Sequence, residues 1–345
     1  MARVTMQDIA RASGFSRSTV SRALKDHPSI PEKTAKKIKR LAKDLGYRPN
    51  PLVSALLTTR NTQQATRSIT TIAYLDFFPG PNNEPAPSVL RSFTQGAHNR
   101  CQQLGFKLER FWINEPGMTP KRLGEILRAR GILGFILGPS VHGDTHFDFK
   151  FQYFASATIA YSIASPDLHR ASTNHFQSML TALKKMNQMG YQRVGFAVEY
   201  EVEKKVGLFY SAAYRIHQES NVPKNELPIF RYKNAPPKND LIKWLKKTKA
   251  DSVISLDNRI PIMLIDSGVA IPTDIGFASL SVDSLPQLPK KRVLTGISQR
   301  SNRVGAAAAD LVIAQLYRNE TGIPVNPKTV LTPGHWKDGN TTRRM

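Results

Sequence analysis

The stretch from residue 5 to residue 24, TMQDIARASGFSRSTVSRAL, reads as two short helices joined by a glycine turn. Thr5 stands as the N-cap of the first helix, and Asp8 three residues later places a carboxylate in its first turn. Ala10 is small enough for the second helix to cross closely over the first. Gly14 supplies the positive φ that lets the chain turn sharply between the two. Ser16 caps the second helix, and Val20 points inward with Ile9 and Leu24 to join the pair. The outer face then carries Arg17, Ser18 and Arg22. A unit of this kind presents its second helix to the major groove of DNA.

Outward from this unit, a third helix is expected from Pro31 to Leu45, with Ala35, Ile38, Leu41, Ala42 and Leu45 as its apolar stripe and Gly46 at its end. Its other face is lysine-rich and solvated. Pro49 and Pro51 stop that helix. Residues 52–57 are apolar and long enough for one or two helical turns, too few to be stable alone in water. A polar linker, Thr58 to Ser68, follows. Order gained on binding is the expectation for that short hinge segment.

From Ile69 the pattern changes to alternating strands and helices. Strands are expected at 72–75, 106–112, 132–137, 158–161, 194–198, 229–232 and 253–256. Helices are expected at 88–104, 120–129, 174–189, 203–220 and 238–247. Apolar strands in repeated βα units form parallel sheets covered on both faces. So many units exceed one comfortable sheet, which predicts two doubly wound lobes with a ligand cleft between them.

Charge separates head from body. Residues 1–60 hold 13 Lys and Arg against 4 Asp and Glu, a net of +9, and the other 285 residues carry +14 of the total +23. Per residue the head is about three times as basic, as a polyanion-binding head should be. No run approaches the roughly 18 apolar residues that span a bilayer, and residue 1 onward lacks an apolar signal core. A cytoplasmic protein without membrane contact is expected. The single cysteine, Cys101, falls on an amphipathic helix and reads as a buried structural thiol.

These residues resemble the lactose-repressor (LacI/GalR) family of bacterial transcription regulators. The likeness rests on Val4 to Ala10, Gly14-Phe15-Ser16, Thr19 to Arg22 and Tyr47 to Asn50 in the head. In the body it rests on Gly190 to Phe196, on Gly268 to Ile275, and on Gly305, Ala308 and Leu311. The resemblance implies an all-α helix-turn-helix head with a hinge helix, followed by an α/β, periplasmic-binding-protein-like (type I) bilobed core of two doubly wound parallel sheets. It divides the chain into a DNA-binding domain (1–49), a hinge and linker (50–68) and an effector-binding and dimerisation body (69–345). Within the body, the first lobe takes about 69–163 and 297–325, and the second about 164–296 and 326–345.

The resemblance further implies a homodimer on palindromic double-stranded operator DNA. Arg17, Ser18 and Arg22 would face base edges. Thr5, Ser16, Thr19, Ser21, Lys25 and Asn50 would contact phosphate or support the groove contacts, and Leu56 would wedge into the central minor groove. Val53 stands where the family usually has alanine. Sugar-binding members place aspartate, arginine and aspartate where Asn174, Lys205 and Asn258 stand here, so the charged fork for a hydroxyl-rich ligand is altered. With Asp257 beside Asn258, and with Asp76 and Phe77 at the carboxyl end of the first strand, these form the expected effector site for a small polar, sugar-like molecule.

No metal-ligand spacing among the histidines, no cysteine pair, no phosphate loop and no G-x-S-x-G elbow occur, so neither metal, cofactor nor catalysis is expected. Trp244 reads as core. Two alternatives stay open: a sequence-indifferent architectural DNA binder, and a regulator without a small effector. An enzyme or transport-type sugar binder with an added basic arm would require a catalytic constellation or an export signal. A dimer is favoured over a tetramer, because no C-terminal leucine heptad is evident.

Overall fold

Contacts divide the chain into two compact units, Met1–Ser68 and Ile69–Met345. The structure is a computed structural model that describes residues 6–24, 30–45, 70–78, 88–140, 142–221, 226–284, 288 and 292–343. Thr5, Lys25, Asn50, the hinge segment at 51–57 with Val53 and Leu56, and Gly46 lie outside these residues.

The head contains α1 (Met6–Ser13), α2 (Arg17–Leu24) and α3 (Glu32–Asp44). Gly14 has φ +73°, and its N–H closes α1 on the Ala10 carbonyl at 3.0 Å. That is the turn the sequence demands. Ile9, Ala10, Val20, Ala23, Ala35, Ile38 and Ala42 form the core, with Leu24 and Phe15 against it. Leu45, expected on the apolar stripe, is instead 38% exposed. It lies just past the end of α3.

The body begins with β1 (Thr71–Asp76), α4 (Ser88–Gln103), β2 (Lys107–Trp112), α5 (Pro120–Ala129), β3 (Gly134–Leu137), β4 (Thr145–His146), β5 (Ala155–Ile159), β6 (Ile163–Ser165) and β7 (His169–Thr173). There follow α6 (His175–Gln188), β8 (Val194–Glu199), α7 (Tyr200–Lys204), α8 (Phe209–Asn221), β9 (Phe230–Tyr232), α9 (Lys238–Thr248), β10 (Ser252–Ser255), α10 (Arg259–Ile265), β11 (Gly276–Ser279) and β12 (Thr295–Ser298). The last elements are α11 (Ser301–Arg318), β13 (Thr329–Thr332) and β14 (His335–Lys337).

The strands form two six-stranded sheets. The first runs β13-β7-β5-β3-β1-β2 and the second β14-β12-β11-β10-β8-β9, while β4 and β6 pair apart. The first sheet is parallel throughout. The second is parallel except where β14 runs against β12. Both are doubly wound, as the run of βα units requires. The chain passes between lobes after β7, after β12 and after β13.

Each sheet is buried on both faces, which explains why its strands are near-continuous apolar runs. One face of the first sheet packs on α4 and α11 through Phe93, Ala97, Val304, Ala308 and Val312. Its other face meets α5 and a phenylalanine cluster of Phe147, Phe151 and Phe154. In the second lobe, α6 and α8 cover one face and α9 and α10 the other. Cys101 is buried in the first core, and burial pushes its thiol up to about 12. Trp244 packs over Gly195, with its ring 5.5 Å from Phe230.

Several boundaries differ from expectation. β7 and β13 belong to the first sheet, so the first lobe extends to Thr173 and takes back Thr329–Thr332, while β14 lies in the second sheet. The reason is compositional: β7 reads His-Arg-Ala-Ser-Thr, polar by sequence yet wholly buried between neighbours. β12 likewise belongs to the second sheet, which moves that lobe's end past residue 296 to Ser298. The strand expected at 158–161 is β5, three residues earlier, because Ala160 turns the chain with φ +60°. The helix expected at 203–220 is broken into α7 and α8 where Gly207 and Leu208 both take positive φ.

Where α4 and α11 cross, two glycines bring the backbones together. A Cβ at Gly96 would lie 1.8 Å from the Asn302 carbonyl oxygen, and one at Gly305 would lie 1.9 Å from that of Phe93. No rotamer relieves such a clash, so the helices would have to separate. Gly305→Ala is expected to lower the unfolding free energy of the body by about 1–3 kcal/mol, read from urea denaturation. A midpoint equal to wild type would contradict the close crossing.

Candidate functional site

In the head, α2 turns Val20 and Ala23 into the core. Arg17, Ser18 and Arg22 are thereby left facing solvent. Ser16 accepts the backbone N–H of Thr19 at 3.1 Å, as a helix cap should. Its hydroxyl also lies 2.8 Å from that of Ser18 and 2.9 Å from that of Thr19. Ser21 is half-buried beside them. Among the described residues neither Arg17 nor Arg22 forms an ion pair. Two free guanidinium forks and a hydroxyl ladder on one short helix can bond base edges and phosphate oxygens.

In the body, the carboxyl ends of the strands in both sheets converge on the cleft between the lobes. Contacts cross it at several points among the described residues. The Tyr161 ring, just after β5, meets Phe209 edge-on at 5.4 Å and His175 at 6.4 Å. Lys204 Nζ lies 3.6 Å from Asp144, and the Ser88 hydroxyl donates to the Asp283 carbonyl at 2.9 Å.

The residues expected to grip a ligand are mostly engaged within their own lobe. Asp76 pairs with Arg110 from β2 and accepts the Phe78 N–H at 3.0 Å. Phe77 is only 7% exposed and packs on Phe147, so it serves the core rather than the cleft. Asn174 caps α6 by accepting the Gln177 N–H at 3.0 Å. Asn258 is buried, donating to the carbonyls of Ser281 and Ser284 and accepting from the Ser279 hydroxyl at 2.8 Å. It ties the loops after β10 and β11 together.

Asp257 accepts from the Tyr232 hydroxyl at 2.8 Å and from both Nε and Nη2 of Arg259. Burial alone would raise its carboxyl, but the Arg259 and Tyr232 hydrogen bonds outweigh this and hold it below the ordinary range. Burial and then the Asp257 charge push the Tyr232 hydroxyl far up. Lys205 forms the C-cap of α7. Its stem lies over Gly143 of the other lobe, where a Cβ would sit 2.9 Å from Lys205 Cγ.

Other side chains at the cleft escaped the sequence reading. Tyr161 is half-buried, with the Arg170 guanidinium 5.0 Å from its ring. His175 Nδ1 lies 2.9 Å from the Tyr210 hydroxyl, which accepts from Gln299 Nε2 at 3.3 Å. The Thr173 hydroxyl in turn reaches the Gln299 carbonyl at 3.5 Å, joining two of the interlobe crossings. The signal for Tyr161, His175 and Gln299 was position: each follows a buried strand at its carboxyl end. Among the described residues no group of His, Cys, Asp and Glu could hold a metal ion, and no helix is long and apolar enough to cross a membrane.

Burial pushes the His175 imidazole down from 6.5 to about 4. Between these values the unfolded chain binds more protons than the folded one, so stability falls as pH drops from about 6.5 to about 4, by on the order of 3 kcal/mol. The unfolding free energy of His175→Gln is expected to show a shallower decline over this window. An unchanged pH profile in the variant would contradict the neutral buried ring.

Residues 5–50 match the family model described as "Bacterial regulatory proteins, lacI family". The HTH-type transcriptional regulator MalR of Staphylococcus xylosus is 24% identical over 205 residues, 58% of each chain. This chain thus spans a little over half the length of that relative. Among solved structures, a transcriptional regulator CelR–cellobiose complex matches with TM-score 0.57 at 17% identity, over 98% of this chain and 100% of that one. A lac repressor dimer bound to operator and the anti-inducer ONPF matches with TM-score 0.57 at 15% identity, over 99% and 100%. At such identities the likeness is one of fold: a helix-turn-helix head and a periplasmic-binding-protein-like bilobed body.

Proposed function

We propose that this chain, whose residues 5–50 match the LacI family model, is a sequence-specific DNA-binding transcriptional repressor acting as a homodimer on a palindromic operator. The observation that carries this reading is the solvent face of α2. There Arg17 and Arg22 stand without acidic partners among the described residues, beside Ser16, Ser18 and Thr19. An architectural binder needs only positive charge. A rigid helix offering two planar forks and an ordered hydroxyl group is suited to base edges.

Arg17, Ser18 and Arg22 are assigned to base reading. Thr5, Ser16, Thr19, Ser21, Lys25 and Asn50 are assigned to phosphate contact and register. Leu56 is assigned to a minor-groove wedge. The protein works in the cytoplasm, needs no cofactor and carries out no catalysis.

A small polar, sugar-like effector occupies the interlobe cleft in this reading. The flat ring of Tyr161 and the polar ends of the strands supply the apolar face and hydrogen bonds that a polyol requires. The engagement of Asp257, Asn258 and Asp76 with neighbouring groups leaves Tyr161 and backbone groups as the contacts that select it. Regulation follows if the effector has unequal affinity for two lobe arrangements, one of which the DNA-bound dimer prefers.

Selection from a randomised duplex pool at fixed salt tests the central assignment. An inverted repeat should be enriched. Arg22→Ala should relax the preference at one base pair in each half-site and cost about 1–3 kcal/mol on the selected sequence. Recovery of no common sequence by the wild-type protein would remove the repressor reading. Unchanged discrimination in Arg22→Ala would remove that arginine from base reading.

A further inference from the structure

A cavity of about 530 Å3 opens on the first lobe at the edge opposite the interlobe cleft. It lies between the end of α11 and the loop that leads into β13. One of its walls is formed by His169, the first residue of β7, which is 5% exposed. The Lys328 backbone N–H donates to His169 Nδ1 at 2.9 Å. In a neutral ring that bond places the proton on Nε2, which is left as a hydrogen-bond donor at the wall of the cavity. Burial, and then the charges of Lys328 and Arg318, hold the imidazole below its ordinary value, so the ring remains neutral near pH 7.

The charged groups around the cavity are unequally matched. Arg318 and Glu320 form a forked pair through Nε and Nη2 at 2.7 and 2.6 Å, leaving the Nη1 hydrogens of Arg318 without an acceptor among the described residues. The Lys328 side chain forms no ion pair among the described residues. One surplus positive charge therefore stands beside three donors. At the rim, the loop exposes Ile323 and Val325, the latter 95% accessible.

We propose that this cavity binds a polar metabolite of monosaccharide size that carries a phosphate or carboxylate group. The anion accepts hydrogen bonds from His169 Nε2, the Lys328 ammonium and Arg318 Nη1, while Ile323 and Val325 cover the ligand's less polar face. The volume suits such a molecule, since small-ligand cavities fall in the range of roughly 300–1,000 Å3. Charge-assisted bonds to an oxyanion are stronger than neutral ones. The site is independent of the cleft, because none of its residues lies at the carboxyl end of a strand. It does not depend on the regulatory reading.

Calorimetric titration of the full chain with a hexose 6-phosphate, the corresponding hexuronate and the uncharged hexose tests the proposal. At least one anionic sugar should bind at least tenfold more tightly than the uncharged one, and which anion binds identifies the group. Lys328→Gln, an exposed substitution, should weaken that binding at least tenfold. His169→Gln should do so as well while retaining an acceptor for the Lys328 N–H. Anionic sugars that bind no better than the hexose would overturn the proposal. So would an anionic sugar whose affinity is unaltered in Lys328→Gln, because it then binds elsewhere.

Discussion

The backbone contact between α4 and α11, made through Gly96 and Gly305, is the constraint on which the body depends. α11 follows the second passage of the chain between lobes, so its seating on α4 determines where that passage lands. The same helix presses Val304, Ala308 and Val312 onto the first sheet. A wider crossing would leave that face of the sheet underpacked and would shift Gln299, which precedes the helix. Gln299 is joined to Thr173 on one crossing strand and through Tyr210 to His175 at the start of α6. Helix packing in one lobe is thus connected, bond by bond, to the geometry of the cleft.

The cleft is rigid in its polar parts and open in its aromatic part. Asp257, Asn258, Asn174 and Asp76 each satisfy hydrogen bonds of the protein itself. A buried polar group left without a partner costs on the order of 1–3 kcal/mol, so these residues keep strand ends and loops in fixed positions. Tyr161, by contrast, touches Phe209 and His175 across the lobes through ring contacts alone. Contacts of that kind can slide or be displaced by a ligand without stranding a polar group.

Much of this was legible in the sequence because it is local. The head is one short unit whose turn, cap and buried positions follow from neighbours a few residues away, and Gly14, Ser16 and Val20 behave as read. The βα alternation marked most elements of the body for the same reason. β7 was missed because its residues are polar, and the stretch acquires strand character only from β5 and β13 on either side. The positions of Asp257 and Asn258 at a strand end were readable. Their partners were not, because Tyr232 and Ser279 arrive from strands far away in the chain. Phe77 was misplaced because sequence gives a residue's height along a strand but not which phenylalanines close over it.

Two polar fastenings between the lobes differ in kind. Lys204 and Asp144 attract each other at 3.6 Å with side chains well exposed, so dissolved ions weaken that tie. The Ser88 hydroxyl instead reaches the main-chain oxygen at position 283, and that acceptor exists whatever side chain the position carries. The Asp283 carboxylate meanwhile holds that carbonyl in place from within its own lobe, through Ser298 and Lys337, whereas loss of the hydroxyl at 88 leaves the ionic tie to respond to the salinity of its surroundings.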